Sequence, residues 1–511
     1  MAKVRINIHN CDSYIYGLVP PEVLVALREV LSFRVQNCEF SEKYNTIDPE
    51  THKRQWDGRI YLVRQLKNCI RFSTGLLSKV RIIFDESGLD YAFTDSRTEY
   101  GKEIPLELAD SFILRDYQIP AVDKSVKVQR GIIKAATGSG KTAIAAGIMQ
   151  KLGLKGTLFL AMSGDLVLQA KDEFARFLRV NGKPPVIGQI GSGVCDIQDI
   201  TVCTVQSLCT AFDIKYTKAD DDDKTTNEIS EEILQKKEDI RNLIVDSRCI
   251  FFDEVQHAAC DTVRDIMKKA LNARYRYGMS ASPWRDDGAD LFIDSHFGKS
   301  IVDISASYLI RKGYLVKPTI YFIKIETPDG TYSNYQTIYK NYIVNNAPRN
   351  KIMAELAKSH EAKGETVLIL VRQINHGKML EKMIEGSIFI SGNMPAKKRK
   401  IVLDEIRENK RKVVIATSLF DEGIDIKRLN CLIMGSSGKS STRALQRIGR
   451  VLRPFDGKDH ATIYDFMDTA KYLSSHARAR KKIYKTEDEF EIKEMKIGDW
   501  NERKNNMWES F

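Results

Sequence analysis

The chain has 511 residues, which is enough for about three domains of ordinary size. Hydrophobic residues make up 43% of the chain and charged residues 29%, as is typical of soluble globular proteins. No apolar run approaches the ~20 residues that a membrane-spanning helix needs. The amino terminus lacks the apolar core of a secretory signal, so we expect no export.

The net charge and the cysteines limit which binding partners and which cellular compartment we expect. A formal charge of +11 is compatible with a nucleic-acid partner but does not require one. The nine cysteines are scattered without a C-x-x-C pair, which argues against a zinc site and against a disulfide framework. We therefore expect a cytoplasmic protein that does not contact a membrane.

Residues 1–104 are predicted to form a small N-terminal α/β module. VRINIHN alternates like a strand, PEVLVALREVLSF has helical spacing, and RIYLVRQ and KVRIIFDES resemble further strands. Basic residues stand beside aromatic ones here, as at Trp56 and Arg59, and this mixture suits phosphate contact together with base stacking. A solvated strand face around a core tryptophan explains the pattern equally well.

The stretch from 131 to 147, GIIKAATGSGKTAIAAG, has the sequence of a phosphate-binding loop between a buried strand and a helix. Glycines let backbone N–H groups approach phosphate oxygens, and the helix start adds partial positive charge. Lys141 would reach the β- and γ-phosphates, and the Thr142 hydroxyl would ligate Mg²⁺. ATP and Mg²⁺ are thus the expected cofactors, and the predicted ligands are Thr137, Gly138, Ser139, Gly140, Lys141 and Thr142.

Residues 105–303 are predicted to form the nucleotide-binding domain around this loop. Strand and helix patterns alternate, which predicts a doubly wound parallel sheet with ligands at the carboxyl ends of its strands. Asp253 ends a buried strand and would hold Mg²⁺, while Glu254 would activate the attacking water. An exposed acidic strand end is the alternative. Residues 217–239 are charged and are expected to form an exposed, partly disordered insertion.

Residues 304–475 are predicted to form a second α/β domain that lacks its own phosphate loop. Arg450 and Arg453 are three residues apart on a predicted helix, so they share a face and could clamp a γ-phosphate. An exposed basic helix is equally compatible with this spacing. TIYFIKIETPDGTY suggests a β-ribbon, and the ribbon near 321–339 is either a strand-separating element or an ordinary surface hairpin. Residues 476–511 are predicted to form a charged C-terminal extension.

The ordered motifs RDYQ, ATGSGKT, TVQS, DEVQ, SAS, TSLFDEGID and QRIGRVLR resemble those of superfamily 2 helicases and translocases over residues 112–470. Ala135 fits that superfamily's form of the loop, AxTGxGKT. Residues 40–85, especially WDGRI, and the stretches YGMSASPWRDDG and RQINHG resemble the branch that contains XPB and the UvsW-type branch-migration helicases of phage. The resemblance implies two tandem RecA-like domains behind a small N-terminal α/β domain that binds DNA.

The resemblance also implies roles for residues of the first domain. Arg115 and Gln118 look like the adenine-reading motif, and Lys141 and Thr142 look like phosphate and Mg²⁺ ligands. Asp253 and Glu254 look like the carboxylates for metal and water. Gln256 stands where the family's acidic box usually ends in histidine. The residues expected to contact nucleic acid are Thr204, Gln206, Ser280, Ser282, Trp56 and Arg59.

In the second domain the resemblance points to two motifs. Gly423 and Asp425 look like the motif that touches the ribose and the nucleic acid. Gln446, Arg450 and Arg453 look like the closing motif, with the arginines as catalytic fingers. ATP would draw the two domains together and hydrolysis would release them, which would move the protein along a strand.

We therefore expect an ATP-dependent DNA helicase that translocates on, unwinds and branch-migrates forked or junction DNA in phage recombination, repair or replication. The expected partner is branched, forked or single-stranded DNA, and the motor is expected to be monomeric in the host cytoplasm. Alternatives are a duplex translocase without strand separation, an RNA helicase, and a binding scaffold with a degenerate NTPase. Intact Lys141, Glu254 and Arg450 argue against the scaffold.

Overall fold

The computed structural model describes residues 4–49, 51–214, 231–283, 289–326, 334–392, 394–408, 410–417, 426, 428–436, 438 and 440–495. The chain divides into two compact units. The first contains residues 1–135 and 140–303, and the second contains residues 304–511 together with the short segment 136–139.

The N-terminal module lies in the first unit and is built on a five-stranded sheet of order β5-β6-β2-β1-β7. One sheet face and the helices α1 and α3 enclose a core that includes Val4, Ile6, Leu27, Phe72 and Phe84. The elements of this module are β1 Val4–Ile8, β2 Asp12–Tyr16, α1 Pro21–Val30, β3 Ser32–Arg34, α2 Glu42–Asn45, β4 Arg59–Tyr61, β5 Val63–Gln65, β6 Ile70–Ser73, α3 Leu77–Glu86 and β7 Tyr91–Asp95.

One predicted element of this module is wrong. KVRIIFDES was expected to be a strand, but it forms most of helix α3. Its neighbouring isoleucines favour a strand by local preference. Val80, Ile83 and Phe84 nevertheless recur at helical spacing and are the residues that α3 buries, so packing of this stripe against the sheet decides the outcome.

The predicted nucleotide-binding domain follows in the same unit, around an eight-stranded sheet of order β13-β12-β14-β10-β15-β16-β9-β17. The pairs from β12 to β9 are parallel, and only the pairing of β12 with β13 is antiparallel among those whose register is defined. The further elements are β8 Leu106–Leu108, α4 Gln118–Val128, β9 Arg130–Ala135, α5 Lys141–Leu152, β10 Thr157–Ala161, α6 Gly164–Phe177, β11 Leu178–Val180, β12 Ile187–Gly191, β13 Val194–Asp196, β14 Ile200–Thr204, α7 Val205–Ala211, α8 Glu231–Asp246, β15 Cys249–Asp253, α9 Asp261–Met267, β16 Tyr275–Ser280, α10 Asp290–Phe297 and β17 Ser300–Ile304.

The second unit is built on a seven-stranded sheet of order β20-β21-β19-β22-β23-β18-β24. Every pairing in it whose register is defined is parallel. Its elements are α11 Ala306–Arg311, β18 Lys317–Ile325, α12 Tyr335–Tyr339, α13 Ala347–Ala362, β19 Val367–Leu370, α14 Ile374–Met383, β20 Ile388–Ile390, α15 Ala396–Arg407, β21 Val413–Ala416, β22 Cys431–Met434, α16 Ser441–Val451, β23 His460–Asp468, α17 Leu473–Tyr484 and β24 Glu491–Met495.

The predicted fold class is confirmed: the chain is α/β, with two RecA-like parallel-sheet domains in tandem behind a small α/β module. The predicted ribbon near 321–339 is wrong in its described part. Strand β18 pairs on both sides, with β23 and β24, and residues 335–339 are helical. Residues 476–495 of the predicted extension supply the end of α17 and the edge strand β24.

The structure bears only in part on two further expectations, the exposed insertion and the absence of a membrane-spanning helix. Within the insertion, residues 217–230 lie outside the described residues, and residues 231–239 belong to helix α8. Among the helices that the structure describes, none is long and apolar enough to cross a membrane. The domain boundaries stay predictions.

Candidate nucleotide-binding and hydrolysis site

The predicted phosphate loop joins the end of β9 to the start of α5. Gly138 and Gly140 have φ of +87° and +77°, which L side chains rarely adopt. A Cβ at Gly140 would lie 2.6 Å from Nε2 of Gln118. Both the positive φ and this close contact therefore require glycine at this position. Ala135 is the last residue of β9 and is fully buried, and extended backbone accepts its methyl group where the general motif has glycine.

The remaining loop residues form the turn before helix α5 and the first residues of that helix. Thr137 and Ser139 lie in the turn, where the Ser139 backbone N–H donates to the Ala136 carbonyl at 3.0 Å. Lys141 and Thr142 are the first two residues of the twelve-residue helix α5. Backbone N–H groups at a helix start lack partners within the helix and favour an anion.

Gln118 connects the predicted adenine motif to the loop. Its side chain is buried, and Oε1 accepts a 2.9 Å hydrogen bond from the Arg115 backbone N–H. Its Nε2 faces Gly140. Arg115 donates through Nη1 to the Tyr117 hydroxyl at 3.1 Å. The start of α4 is therefore tied to the phosphate loop, a supporting contact that the motif alone did not reveal.

The acidic pair lies at the carboxyl end of β15, in the same sheet as the loop. Asp253 is half-buried, but its Oδ1 is inaccessible to solvent and has no hydrogen-bond partner among the described residues. Burial, and next the charge of Glu254, raises the pKa of Asp253 to about 7, while Lys141 opposes this shift. A buried carboxylate oxygen without a donor is costly unless a cation binds it, so Asp253 fits a Mg²⁺ ligand.

Glu254 occupies a strained backbone position. Its φ of +53° is left-handed, which a residue with a Cβ adopts at a cost of ~1–2 kcal/mol. Such strain concentrates at functional sites and is maintained by the surrounding structure. The turn places the carboxylate within reach of Gln256, whose Nε2 donates to Glu254 Oε2 at 2.9 Å.

Gln256 also contacts the hydroxyl-rich turn after β16. The Ser280 hydroxyl donates to Gln256 Oε1 at 2.6 Å, and it accepts from the Ser282 backbone N–H at 3.0 Å. A continuous chain of hydrogen bonds therefore runs from Glu254 through Gln256 to the SAS turn. Glutamine can bridge the two because its amide offers both a donor and an acceptor.

The predicted nucleic-acid residues of the TVQS motif lie at the end of β14. Thr204 caps α7 by accepting from the Ser207 backbone N–H at 3.2 Å, and Gln206 is exposed. Both line a cavity of about 560 Å³. Lys236 and Lys237 of α8 line it too, and their ammonium groups pair with Glu232 and Asp213.

Two residues of the N-terminal module that are predicted to contact nucleic acid make hydrogen bonds within the module. The Trp56 indole N–H donates to the Arg59 carbonyl at 2.7 Å. The Arg59 guanidinium donates to Ser32 Oγ at 2.9 Å and to the Glu29 carbonyl at the end of α1 at 3.3 Å. These contacts assign both side chains to holding the module together, and their contact with nucleic acid stays a prediction.

In the second unit, helix α16 carries Gln446 and Arg450, and Arg453 follows its end. All three side chains are half-buried. The Lys458 ammonium donates to the carbonyls of Val451 and, at 3.2 Å, of Arg453. Burial lowers the pKa of Lys458 to about 7. Lys458 thus fixes the end of α16, a role with no periodic signal in the sequence. Gly423 and Asp425 lie outside the described residues.

Comparison with known proteins bears directly on these motifs. Residues 111–285 match the family model of the type III restriction enzyme res subunit, and residues 348–454 match the helicase conserved C-terminal domain. Together the two models cover more than half of the chain. The chain belongs to the superfamily 2 helicases. The predicted enzyme class, a helicase-type ATPase, is confirmed with it.

Individual relatives agree with the family. A putative helicase 22 of Sulfolobus islandicus filamentous virus is 27% identical over 70% of this chain and 64% of the relative. The ATP-dependent DNA helicase uvsW of Enterobacteria phage T4 is 24% identical over 89% of both chains. The fragment structure of a putative HsdR subunit from Vibrio vulnificus YJ016 has a TM-score of 0.54 at 18% identity and covers 75% of this chain and 68% of its own. This chain thus spans under two thirds of the viral relative but most of the phage helicase.

Proposed function

We propose that this superfamily 2 helicase hydrolyses ATP to translocate on DNA, and that it unwinds and branch-migrates forked or junction DNA. The observation that carries the ATPase part is the buried Oδ1 of Asp253, which has no hydrogen-bond partner among the described residues and ends the strand next to the SAS strand. A side chain with that burial cost is expected where a divalent cation binds.

Each residue of the first domain has a separate task in this proposal. Lys141 and the N–H groups at the start of α5 bind the phosphates. Thr142 and Asp253 hold Mg²⁺, which supplies positive charge to the phosphate oxygens when it is bound. Glu254 accepts a proton from the attacking water, and Gln256 holds that carboxylate in place.

The second domain supplies charge to the same reaction. Arg450 and Arg453 would contact the γ-phosphate only when the domains close, which makes hydrolysis depend on closure. Lys458 supports this by holding the end of α16, which carries Arg450 and is followed by Arg453. Gly423 and Asp425 would contact the ribose and the nucleic acid.

The DNA substrate is inferred from the relatives and the motifs. The T4 relative is named as an ATP-dependent DNA helicase, and it covers most of this chain. The viral relative and the T4 relative both suggest a phage or viral origin, hence a role in recombination, repair or replication in the host cytoplasm. Motor motifs grip the phosphate backbone, so binding should weaken as salt increases.

The test is ATP hydrolysis without nucleic acid and with single-stranded DNA, duplex DNA, a four-way junction or RNA, at two salt concentrations. Product gels would follow the branched substrates. We expect the junction to stimulate hydrolysis most and to be converted to duplex arms. Equal stimulation by plain duplex without strand displacement would indicate a translocase, and stimulation by RNA alone would overturn the DNA assignment. Lys141→Ala should abolish hydrolysis, and activity that survives it would contradict the assigned ATP site.

A further inference from the structure

The sheet of the N-terminal module has a polar face opposite its core. Residues alternate along each strand, so that Val4, Ile6, Ile15 and Phe72 are buried against the helices. The residues between them lie on the other side of the sheet and are exposed or half-buried. We call this side the open face, and its central residues are Arg5, Asn7, Tyr14, Tyr16, Arg64 and Arg71.

The strand register brings aromatic and basic residues of the open face together. Arg64 pairs with Arg71 across β5 and β6, and Arg71 pairs with Tyr14 across β6 and β2. One step along, Tyr16 pairs with Arg5 across β2 and β1. Side chains opposite each other on one face have Cβ atoms ~5 Å apart. The face therefore presents two tyrosine rings flanked by guanidinium groups.

The charge of this face is positive, the Tyr16 ring is exposed and the Tyr14 ring is half-buried. Tyr16 is 39% exposed, and the Arg71 side chain is 40% exposed. The acidic residue beside them, Asp12, is 3.9 Å from Arg71 Nε, so this pair is neutral and the net positive charge of the face comes from Arg5 and Arg64. The His9 ring packs edge-on against Tyr14 at 5.7 Å, which extends the aromatic surface towards the β1–β2 loop.

We propose that the open face binds single-stranded DNA, with bases stacked on Tyr14 and Tyr16 and phosphates paired with the three arginines. Base stacking on aromatic rings beside a basic groove is how proteins hold unpaired strands without reading their sequence. Bases in a duplex are already stacked on each other, so the tyrosines favour an unpaired strand. This inference rests on the proposed nucleic-acid-dependent function and names a binding surface for its substrate.

The module is joined to the first helicase domain through the loop at one end of this face. The Asn10 amide donates to the Leu271 carbonyl at 2.9 Å, and Arg130 Nη2 donates to the Asn10 carbonyl at 2.5 Å. The neighbouring Cys11 Sγ is 3.0 Å from Nη2 of the buried Arg276. A second junction lies at Gly75, where a Cβ would be 2.1 Å from the Asp294 carbonyl oxygen.

These contacts join the loop at one end of the open face to the first helicase domain, and both belong to the same compact unit. The loop that carries Asn10 and Cys11 connects β1 to β2, the strands that carry Arg5 and both tyrosines. A strand held on the open face would therefore follow every movement of the first domain. Holding an unpaired strand there would keep it from re-annealing behind the moving fork.

The test uses the full chain with two kinds of variant. Tyr16→Ala removes a stacking surface, and Arg64→Ala/Arg71→Ala removes two positive charges. The matched control is Arg28→Ala/Arg81→Ala, which removes the same charge from the helical side of the module, where the two guanidinium groups lie over Tyr61 and Phe93. Binding of a fluorescent 20-nucleotide DNA strand, the same RNA strand and a duplex is measured by anisotropy over a salt series.

We expect Tyr16→Ala to weaken single-stranded DNA binding about 5- to 100-fold with an unchanged salt slope, as loss of one stacked base does. The double arginine variant should lower the slope of log K against log salt by about 1.4, or ~0.7 for each lost phosphate contact. The control should bind like the wild type. Hydrolysis of ATP without DNA should be unchanged in all three variants.

The inference is overturned if both open-face variants bind single-stranded DNA as the control does. It is also overturned if duplex binding falls as much as single-strand binding, or if only RNA binding falls. These outcomes would leave the proposed ATPase activity untouched, because that activity is tested separately by the Lys141→Ala variant and by the stimulation of hydrolysis with nucleic acid. If no nucleic acid stimulates ATP hydrolysis by the wild-type protein, the proposed function itself is refuted.

Discussion

The Ser280 hydroxyl donates a 2.6 Å hydrogen bond to Oε1 of Gln256, whose Nε2 donates in turn to Glu254 at 2.9 Å. Ser280 ends β16 and Glu254 follows β15, so the chain of hydrogen bonds crosses between two neighbouring strands. A glutamine amide does not titrate, and therefore this connection does not depend on pH as a histidine in its place would.

Gln256→Leu should break this connection while keeping the volume of the side chain. We expect the rate of nucleic-acid-stimulated ATP hydrolysis to fall about 10- to 100-fold, because a lost hydrogen bond to a charged group costs ~1.5–3 kcal/mol. Nucleotide affinity should be unchanged, since the hydrogen bonds of Gln256 to Glu254 and Ser280 act on the hydrolytic carboxylate and the SAS turn. Single-turnover hydrolysis and nucleotide titrations separate the two effects.

The matched control is Gln235→Leu on the exposed face of α8, where the amide pairs with Asp239 at 2.8 Å. Gln256→His should recover part of the rate, because an imidazole can still contact both neighbours. Wild-type rates in Gln256→Leu would show that the hydrogen bonds to Ser280 and Glu254 do not support catalysis.

Asp253→Asn should reduce Mg²⁺-dependent hydrolysis more than 100-fold and yet stabilise the protein without nucleotide. The pKa of Asp253 is raised to about 7 in the folded state, so the carboxylate destabilises the fold increasingly as pH rises from ~4 to 7. Removing the charge should therefore raise the free energy of unfolding by at most about 4 kcal/mol at pH 8, and by less at pH 5.

Calorimetry at the two pH values measures this, with the exposed Asp199→Asn as the control. A melting temperature that falls at pH 8 would contradict the assignment of Asp253 as a carboxylate whose charge destabilises the fold. Retained hydrolysis in Asp253→Asn would remove Asp253 from the Mg²⁺ site.

Arg480→Met should destabilise the second unit strongly. Arg480 is almost fully buried and donates through Nε and Nη2 to both oxygens of the buried Asp465, each at 2.8 Å. The Tyr484 hydroxyl donates to the same carboxylate at 3.0 Å. Removing the cation leaves a buried charge without its partner, which costs about 3–5 kcal/mol.

Thermal unfolding of the full chain should show this loss, and Arg478→Met on the exposed side of the same helix should show little change. The double variant Arg480→Met/Asp465→Leu should recover part of the loss, because the charge is removed with its partner. Equal melting of Arg480→Met and Arg478→Met would mean that the buried pair contributes no net stability.

The motor motifs could be predicted from sequence because each has fixed spacing next to a strand with a strong apolar pattern. Asp253 ends its strand, and the glycines of the phosphate loop adopt positive φ, both as their sequence motifs predict. The chain of hydrogen bonds through Gln256 needs the neighbouring strand β16, 24 residues further along, so no local pattern could reveal it.

The predictions of secondary structure were wrong where the local preference of the residues and their packing disagree. Helix α3 contains neighbouring β-branched residues that favour a strand, yet its buried stripe packs as a helix. Tyr321 was placed on a surface ribbon, but it stacks on Tyr464 of the neighbouring strand inside the sheet. The contact of Trp56 and Arg59 with nucleic acid stays a prediction, and their composition could not show that their polar atoms contact the module's own backbone.

His376→Gln should make the second unit less sensitive to acid. His376 is fully buried in α14, and Nε2 lies 2.9 Å from the Asn350 amide oxygen. Burial lowers its pKa to about 3, with Arg349 adding to the effect. The unfolded histidine titrates near 6.5, so the unfolded state binds more protons between pH 3 and 6.5. Stability that is fully present above pH 6.5 is therefore lost below it, at ~1.4 kcal/mol per pH unit.

Glutamine keeps a donor near the position of Nε2 but does not titrate, so His376→Gln should lose that pH-dependent component while staying folded at neutral pH. Calorimetry at pH 7.5, 6.5 and 5.5 gives the slope, and the exposed His52→Gln serves as the control because its ring remains in water in both states. The wild type and His52→Gln should destabilise in parallel as the pH falls, and His376→Gln should destabilise less. Three parallel slopes would show that His376 takes up a proton in the folded protein without cost, and its buried contact with Asn350 would then have to tolerate the charge.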